Sequence, residues 1–164
     1  MELNIVDMRG SLPVHSNTKY TERPKPFTCV VLHHSLTTTG SAELFADYHV
    51  HHNGWPGLAY AYVILKDGTV EWGWDTNIRT YHVGKYNTIA LGICSIGDFR
   101  GDNYPTPAQW NAAHQLIEKV ASHIPPGSIL GHSEVPTYAW KSCPGDNWNM
   151  AKFRREIKNA RSTT

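Results

Sequence analysis

Histidine and cysteine gather at two places in this chain. The first is His33-His34, which closes the β-branched and apolar run Thr28 to His34. The second is Gly131-His132-Ser133-Glu134, followed eleven positions after His132 by Cys143 within Lys141-Ser142-Cys143-Pro144-Gly145. Imidazole nitrogen and thiolate sulfur are donors for Zn²⁺, and three protein donors leave the fourth tetrahedral position open for chemistry, as in a catalytic rather than a structural site. Successive side chains of a strand point to opposite faces, so only one of His33 and His34 can enter a given site. The pair alone reads equally as polar residues at a strand terminus; the second cluster gives it weight. A Cys–His nucleophile pair built on Cys143 fits less well, because Pro144 rules out the helix N-terminus that lowers the pKa of such a cysteine. No glycine-rich phosphate loop is present. His49, His51 and His52 read as a solvated helix end with one histidine packed on Trp55, and no role is assigned to them.

These residues need a frame to hold them. The chain has 164 residues, 40% hydrophobic and 18% charged, enough for one compact domain that buries roughly 70% of its unfolded surface. Ten histidines stand out against four phenylalanines, while three cysteines (Cys29, Cys94 and Cys143) are too few and odd in number for a disulfide framework. Fifteen Lys plus Arg against fourteen Asp plus Glu give a net charge of +1, so no overall field draws the chain to nucleic acid or anionic lipid, and neither is expected as a partner. Leu58 to Leu65 is the longest apolar run, far short of a membrane span, so no membrane insertion is expected. The opening Met1-Glu2-Leu3-Asn4 lacks the basic and apolar regions of a signal peptide, so synthesis in the cytoplasm is expected.

Residues 1–27 carry Pro13, Pro24 and Pro26 and read as an irregular arm lying on a body formed by residues 28–164. Within the body, 28–34 reads as a buried strand, and Ser41 caps a helix to about His52 that carries Leu44, Phe45 and Tyr48 inward. Tyr60–Lys66 and Thr69–Trp74 flank Asp67-Gly68 as a hairpin. Ile89–Ile96 is another strand. Thr106-Pro107-Ala108-Gln109 opens a helix with a capping box, with Trp110, Ala113, Ile117, Val120 and Ile124 at helical spacing until Pro125-Pro126. Ser128–Gly131 is a short strand, and a last helix from about Trp148 to Lys158 sets Met150, Phe153 and Ile157 on one face. Helices alternating with strands predict an α/β fold with a central mixed sheet flanked by helices.

With Val30-Val31-Leu32-His33-His34, Gly54-Trp55 before Ala59-Tyr60, Lys66-Asp67-Gly68-Thr69, Tyr86-Asn87, Leu91-Gly92-Ile93, and Gly131-His132-Ser133-Glu134 leading to Lys141-Ser142-Cys143-Pro144-Gly145, the sequence resembles the zinc N-acetylmuramoyl-L-alanine amidases. Those include phage endolysins and the animal peptidoglycan recognition proteins. The resemblance spans about residues 28–158 and leaves the arm uncovered. It implies Zn²⁺ bound by His33, His132 and Cys143, with Tyr60 and Lys141 catalytic and His82 and Asn87 in the substrate groove. Lysine at position 141 matches the endolysin branch. The implied reaction is hydrolysis of the amide between N-acetylmuramic acid and L-alanine of bacterial peptidoglycan, by a monomer acting at the cell wall. Zinc would activate water and polarise the carbonyl, Lys141 would face the developing oxyanion, and Tyr60 would orient water or protonate the leaving amine. Glu134 is expected to hold His132 through its other ring nitrogen or to stabilise the loop. The alternatives implied are a recognition module that binds without cutting, and an amidase acting on soluble muropeptides.

Overall fold

The fold is described from a computed structural model covering residues 2–163; Met1 and Thr164, the outermost positions of the arm and body, lie outside the described residues. Strands β1 (Ile5–Asp7), β3 (Cys29–His34), β4 (Tyr62–Ile64), β5 (Val70–Trp72), β7 (Ala90–Ser95) and β8 (Ile129–Gly131) form one sheet in the order β1-β5-β4-β7-β3-β8. Strands β4, β7, β3 and β8 run parallel, β5 returns antiparallel to β4 through the Asp67-Gly68 turn, and β1 adds in parallel to β5. Gly68 takes φ +89°, the left-handed conformation that makes glycine suitable at this turn. A second, two-stranded sheet pairs β2 (Thr21–Glu22) with β6 (Ile78–Arg79). Helices α1 (Ala42–His51), α2 (Pro107–Val120) and α3 (Met150–Ser162) complete the α/β architecture, a mixed central sheet flanked by helices.

Alternation along the central strands decides what each face does. Val30 and Leu32 of β3 and Leu91 and Ile93 of β7 join Leu116 and Ile117 of α2 and Phe153 and Ile157 of α3 in the main core. Each such fully buried side chain contributes roughly 1.5–3 kcal/mol relative to exposure. Val31 and Ala90 look the other way, into a smaller cluster with Val83 and Val135 beneath the loops. His34 therefore shares the face of Leu32, and His33 that of Val31.

The α2 start is as the sequence predicts: Thr106 accepts from the Gln109 amide at 3.0 Å and Gln109 answers to the Thr106 amide at 3.0 Å. Helix α3 buries Met150, Phe153 and Ile157 as expected and runs on to Ser162. Helix α1 turns out differently. Leu44 and Tyr48, expected inward, are 63% and 54% exposed, whereas Ala42, Ala46, His49 and Val50 are buried. Small side chains let α1 sit close against Leu58, Val63 and Ile96, and the large ones are left outside.

The N-terminal segment is also more regular than predicted. It supplies β1 and β2, and its side chains anchor it. The Arg9 guanidinium lies 3.4 Å from the Trp72 ring centroid, and the Tyr20 hydroxyl donates to the Gly57 carbonyl at 2.9 Å. Arg23, 7% exposed, donates to five backbone carbonyls between residues 76 and 90.

Candidate metal centre and its groove

The site lies beyond the carboxyl ends of β3 and β8, the position that open α/β sheets favour for ligands. His33 is the fifth residue of β3, and His132 follows directly on β8, whose Gly131 stands in register with Leu32. Cys143 arrives on the loop from residue 132 to 149. Gly131 makes that approach possible: a Cβ there would lie 2.7 Å from Pro144 Cδ, so only glycine lets the strand end and the cysteine loop close up without a shift. The Ser133 amide donates to the Cys143 carbonyl at 2.9 Å and fixes the juxtaposition.

The ligating atoms of His33, His132 and Cys143 all lie within 4.8 Å of one another. His33 Nδ1 faces Cys143 Sγ at 3.6 Å, and the His34 amide donates to the same sulfur at 3.4 Å. His34 itself looks away: its Nδ1 accepts from the Phe99 amide at 3.1 Å on the opposite side of the sheet. Burial drives the imidazole of His33 well below its usual pKa, with His82, His132, His34 and Lys141 adding to the effect; burial and Lys141 bring His132 to about 4. Burial raises the Cys143 thiol to about 12, opposed by the His34 amide and Lys141. Both imidazoles are thus neutral, with lone pairs available, and the thiol would lose its proton on binding a cation. The buried Nε2 of His132 has no hydrogen-bond partner among the described residues, an orphan that a protein interior rarely tolerates. Two neutral imidazoles, one thiol and an orphaned nitrogen at one point fit a borderline-soft divalent metal ion.

The trio lines a cavity of about 820 Å³ together with Tyr60, Trp55, His49, Tyr138 and Lys141. The Tyr60 ring centroid is 5.0 Å from that of His33. Burial first, then the neighbouring Cys94 and Cys143, push its phenol well above 10, so Tyr60 keeps its proton and is a donor. Lys141 holds its Nζ 4.7 Å from the Trp140 ring centroid at the mouth.

His82 and Asn87 also line the cavity, but both ring nitrogens of His82 and the side-chain oxygen of Asn87 are engaged within the protein. His82 Nδ1 meets His33 Nε2 at 2.9 Å and its Nε2 meets the Ala90 carbonyl at 2.9 Å. Asn87 Oδ1 accepts from the amides of His82 and Val83 at 2.9 and 2.7 Å. Glu134 does not reach His132: it accepts from the Gly131 amide at 2.9 Å and forms a two-point pair with Arg154 at 2.7 and 2.9 Å, so it is the loop-stabilising acid of the two roles expected. The helix-end histidine expected on Trp55 is His49, which is buried there and accepts from the Ala59 amide at 3.1 Å, shaping the groove wall. One contributor escaped sequence reasoning. Arg23 holds the segment that carries His82; a lone arginine in a proline-rich arm gives no signal of burial.

The family profile described as N-acetylmuramoyl-L-alanine amidase matches residues 23–146. The endolysin of Enterobacteria phage K11 is 33% identical over 95 residues, 56% of this chain and 61% of that protein, so the chain spans about three-fifths of the length of such relatives. Among solved structures, the amidase LysC of Clostridium intestinale URNW superposes with a TM-score of 0.76 at 24% identity, covering 94% of this chain and 97% of that one. Drosophila PGRP-LB superposes with a TM-score of 0.69 at 26% identity, covering 88% and 90%. The profile covers most of the chain, and with it the β3 end and the Cys143 loop that build the donor trio: this chain belongs to the N-acetylmuramoyl-L-alanine amidase family.

Proposed function

We propose that this chain is a zinc-dependent N-acetylmuramoyl-L-alanine amidase of the endolysin kind, which hydrolyses the amide between N-acetylmuramic acid and the L-alanine of bacterial peptidoglycan. The observation that carries this reading is the full donor trio at the wall of an open cavity, with a phenol and an ammonium-bearing side chain beside it. His33, His132 and Cys143 would hold a zinc ion, which when bound would supply Lewis acidity and a nucleophile at neutral pH. The chain's own residues supply the rest. The Lys141 ammonium, held against the Trp140 ring beside the trio, faces the carbonyl oxygen where negative charge collects, and charge placed there in advance in a partly dry groove stabilises it most. Tyr60, a protonated phenol, donates a hydrogen bond to the reacting carbonyl or a proton to the departing L-alanine nitrogen. His82 and Asn87 offer the substrate only the surfaces left after their internal bonds are made.

The intact trio disfavours a recognition module that binds without cutting, since such a protein has no use for an open coordination position. Lysine at position 141 favours the endolysin branch, acting as a monomer on the wall after synthesis in the cytoplasm. Digestion of purified peptidoglycan followed by mass analysis tests the reading. New L-alanine α-amino groups with no new reducing ends support it; new reducing ends with intact lactyl amides refute it, because those are the products of a glycosidase.

A further inference from the structure

We propose that His82 is a positioning residue for the metal centre: it fixes the tautomer and ring orientation of His33 so that Nδ1, not Nε2, is presented to the ion. This role rests on the reading of the trio as a zinc centre. The Ala90 carbonyl has lone pairs only, so the His82 nitrogen 2.9 Å from it, Nε2, must carry the hydrogen. In the neutral ring, with its one hydrogen committed to that carbonyl, His82 Nδ1 is a bare acceptor. His33 Nε2, 2.9 Å from that acceptor, must in turn carry hydrogen and donate. The lone pair of His33 is left on Nδ1, which faces Cys143 Sγ at 3.6 Å. One backbone carbonyl thereby sets which atom of a residue on another strand meets the metal.

Independent features of the chain hold His82 in that pose. A Cβ added to Gly92 would lie 2.9 Å from His82 Nδ1 and 3.0 Å from Cγ and Cε1, so the imidazole rests in a cradle that any side chain at 92 would fill. Gly92 pairs with Val31, two residues before His33 and on the same face. The His82 amide is tied to Asn87 Oδ1 at 2.9 Å, and Arg23 Nη1 donates to the Asn87 carbonyl at 2.9 Å, anchoring the segment that carries both residues. The ring centroids of His82 and His33 lie 5.0 Å apart, with the planes at 72°.

Two measurements test the role apart from catalysis. In the zinc-loaded wild-type protein, long-range ¹H–¹⁵N spectra should show His33 with hydrogen on Nε2 and zinc on Nδ1, and His82 with hydrogen on Nε2. Zinc on His33 Nε2, or hydrogen on His82 Nδ1, overturns the proposal. In chelator competition, His82→Leu should bind zinc about 10- to 100-fold more weakly, the range found when a partner of a metal-bound histidine is removed. His82→Asn, which keeps an acceptor near the Nδ1 position, should recover part of that loss. Zinc affinity within twofold of wild type in a folded His82→Leu protein overturns the proposal, as does an equal loss in both variants. Failure of the amidase reading would show differently, as correct tautomers and tight zinc in a protein that cuts no peptidoglycan amide.

Discussion

Replacing Arg23 by methionine keeps the length of the side chain and removes its five donors' worth of hydrogen. The guanidinium is buried, and its charge is met by carbonyl dipoles: Thr76 at 2.8 Å, Asn87 at 2.9 Å, Ile78 at 3.0 Å, and Thr88 and Ala90 at 3.2 and 3.3 Å. Nη1 has two hydrogens for three carbonyls, so the two longer contacts share one hydrogen and add little. Three good bonds to a charged donor at about 1.5 kcal/mol each, less the desolvation that a buried cation no longer suffers, leave a cost of about 2–4 kcal/mol. For a chain of this size that is roughly a 10 °C fall in Tm. The damage should also be local. Segment 76–90 loses its anchor, so amide hydrogen exchange should quicken there and in β2 while the α2–α3 core stays protected. A loss below about 1 kcal/mol, or exchange that rises evenly over the molecule, would refute the view that Arg23 ties the N-terminal segment to the groove wall.

Lys141→Ala should keep its zinc and its fold yet lower kcat by roughly 10²- to 10³-fold, the effect of removing one donor to a developing oxyanion. Tyr60→Phe retains the ring against His33 and tests the phenol alone; the double variant should lose less than the product of the single losses, because both groups serve one transition state. Unchanged turnover of peptidoglycan by zinc-loaded Lys141→Ala would remove it from the mechanism. His49, 9% exposed, has its pKa brought by burial to about 4, below the 6.5 of an unfolded chain. Between those values the unfolded state binds the extra proton, so stability is full above pH 6.5 and declines as the pH falls toward 4, by about 3 kcal/mol from this residue. Urea midpoints at pH 7 and 4.5 should differ less in His49→Gln than in wild type, and an equal drop in both would show that His49 does not contribute.

Local chemistry was legible in the sequence wherever neighbours along the chain decide the outcome. The capping box of α2, the Asp67-Gly68 turn and the alternation that separates His33 from His34 are all short-range effects, and the structure displays each. What was not legible depends on partners far along the chain. Strand β1 exists because β5, 65 residues later, offers an edge, and nothing in Ile5-Val6-Asp7 announces it. The inner face of α1 departs from the rule that large apolar residues point inward, because close packing on Leu58 and Val63 selects alanine there. His82 illustrates the same limit in the site. Its residue type suggested the groove, but its hydrogen bonds to His33 and Ala90 emerge only when the segment between β6 and β7 folds over Gly92.

We propose that His33, His132 and Cys143 hold one zinc ion on which cleavage of the peptidoglycan amide depends. Stripping the protein with a chelator, titrating zinc back, and following metal content together with release of L-alanine α-amino groups from purified peptidoglycan addresses it directly. Cleavage should vanish in the stripped protein and return in proportion to bound zinc, saturating at one ion per chain. Full cleavage by the metal-free protein, or zinc uptake that restores none, would contradict it.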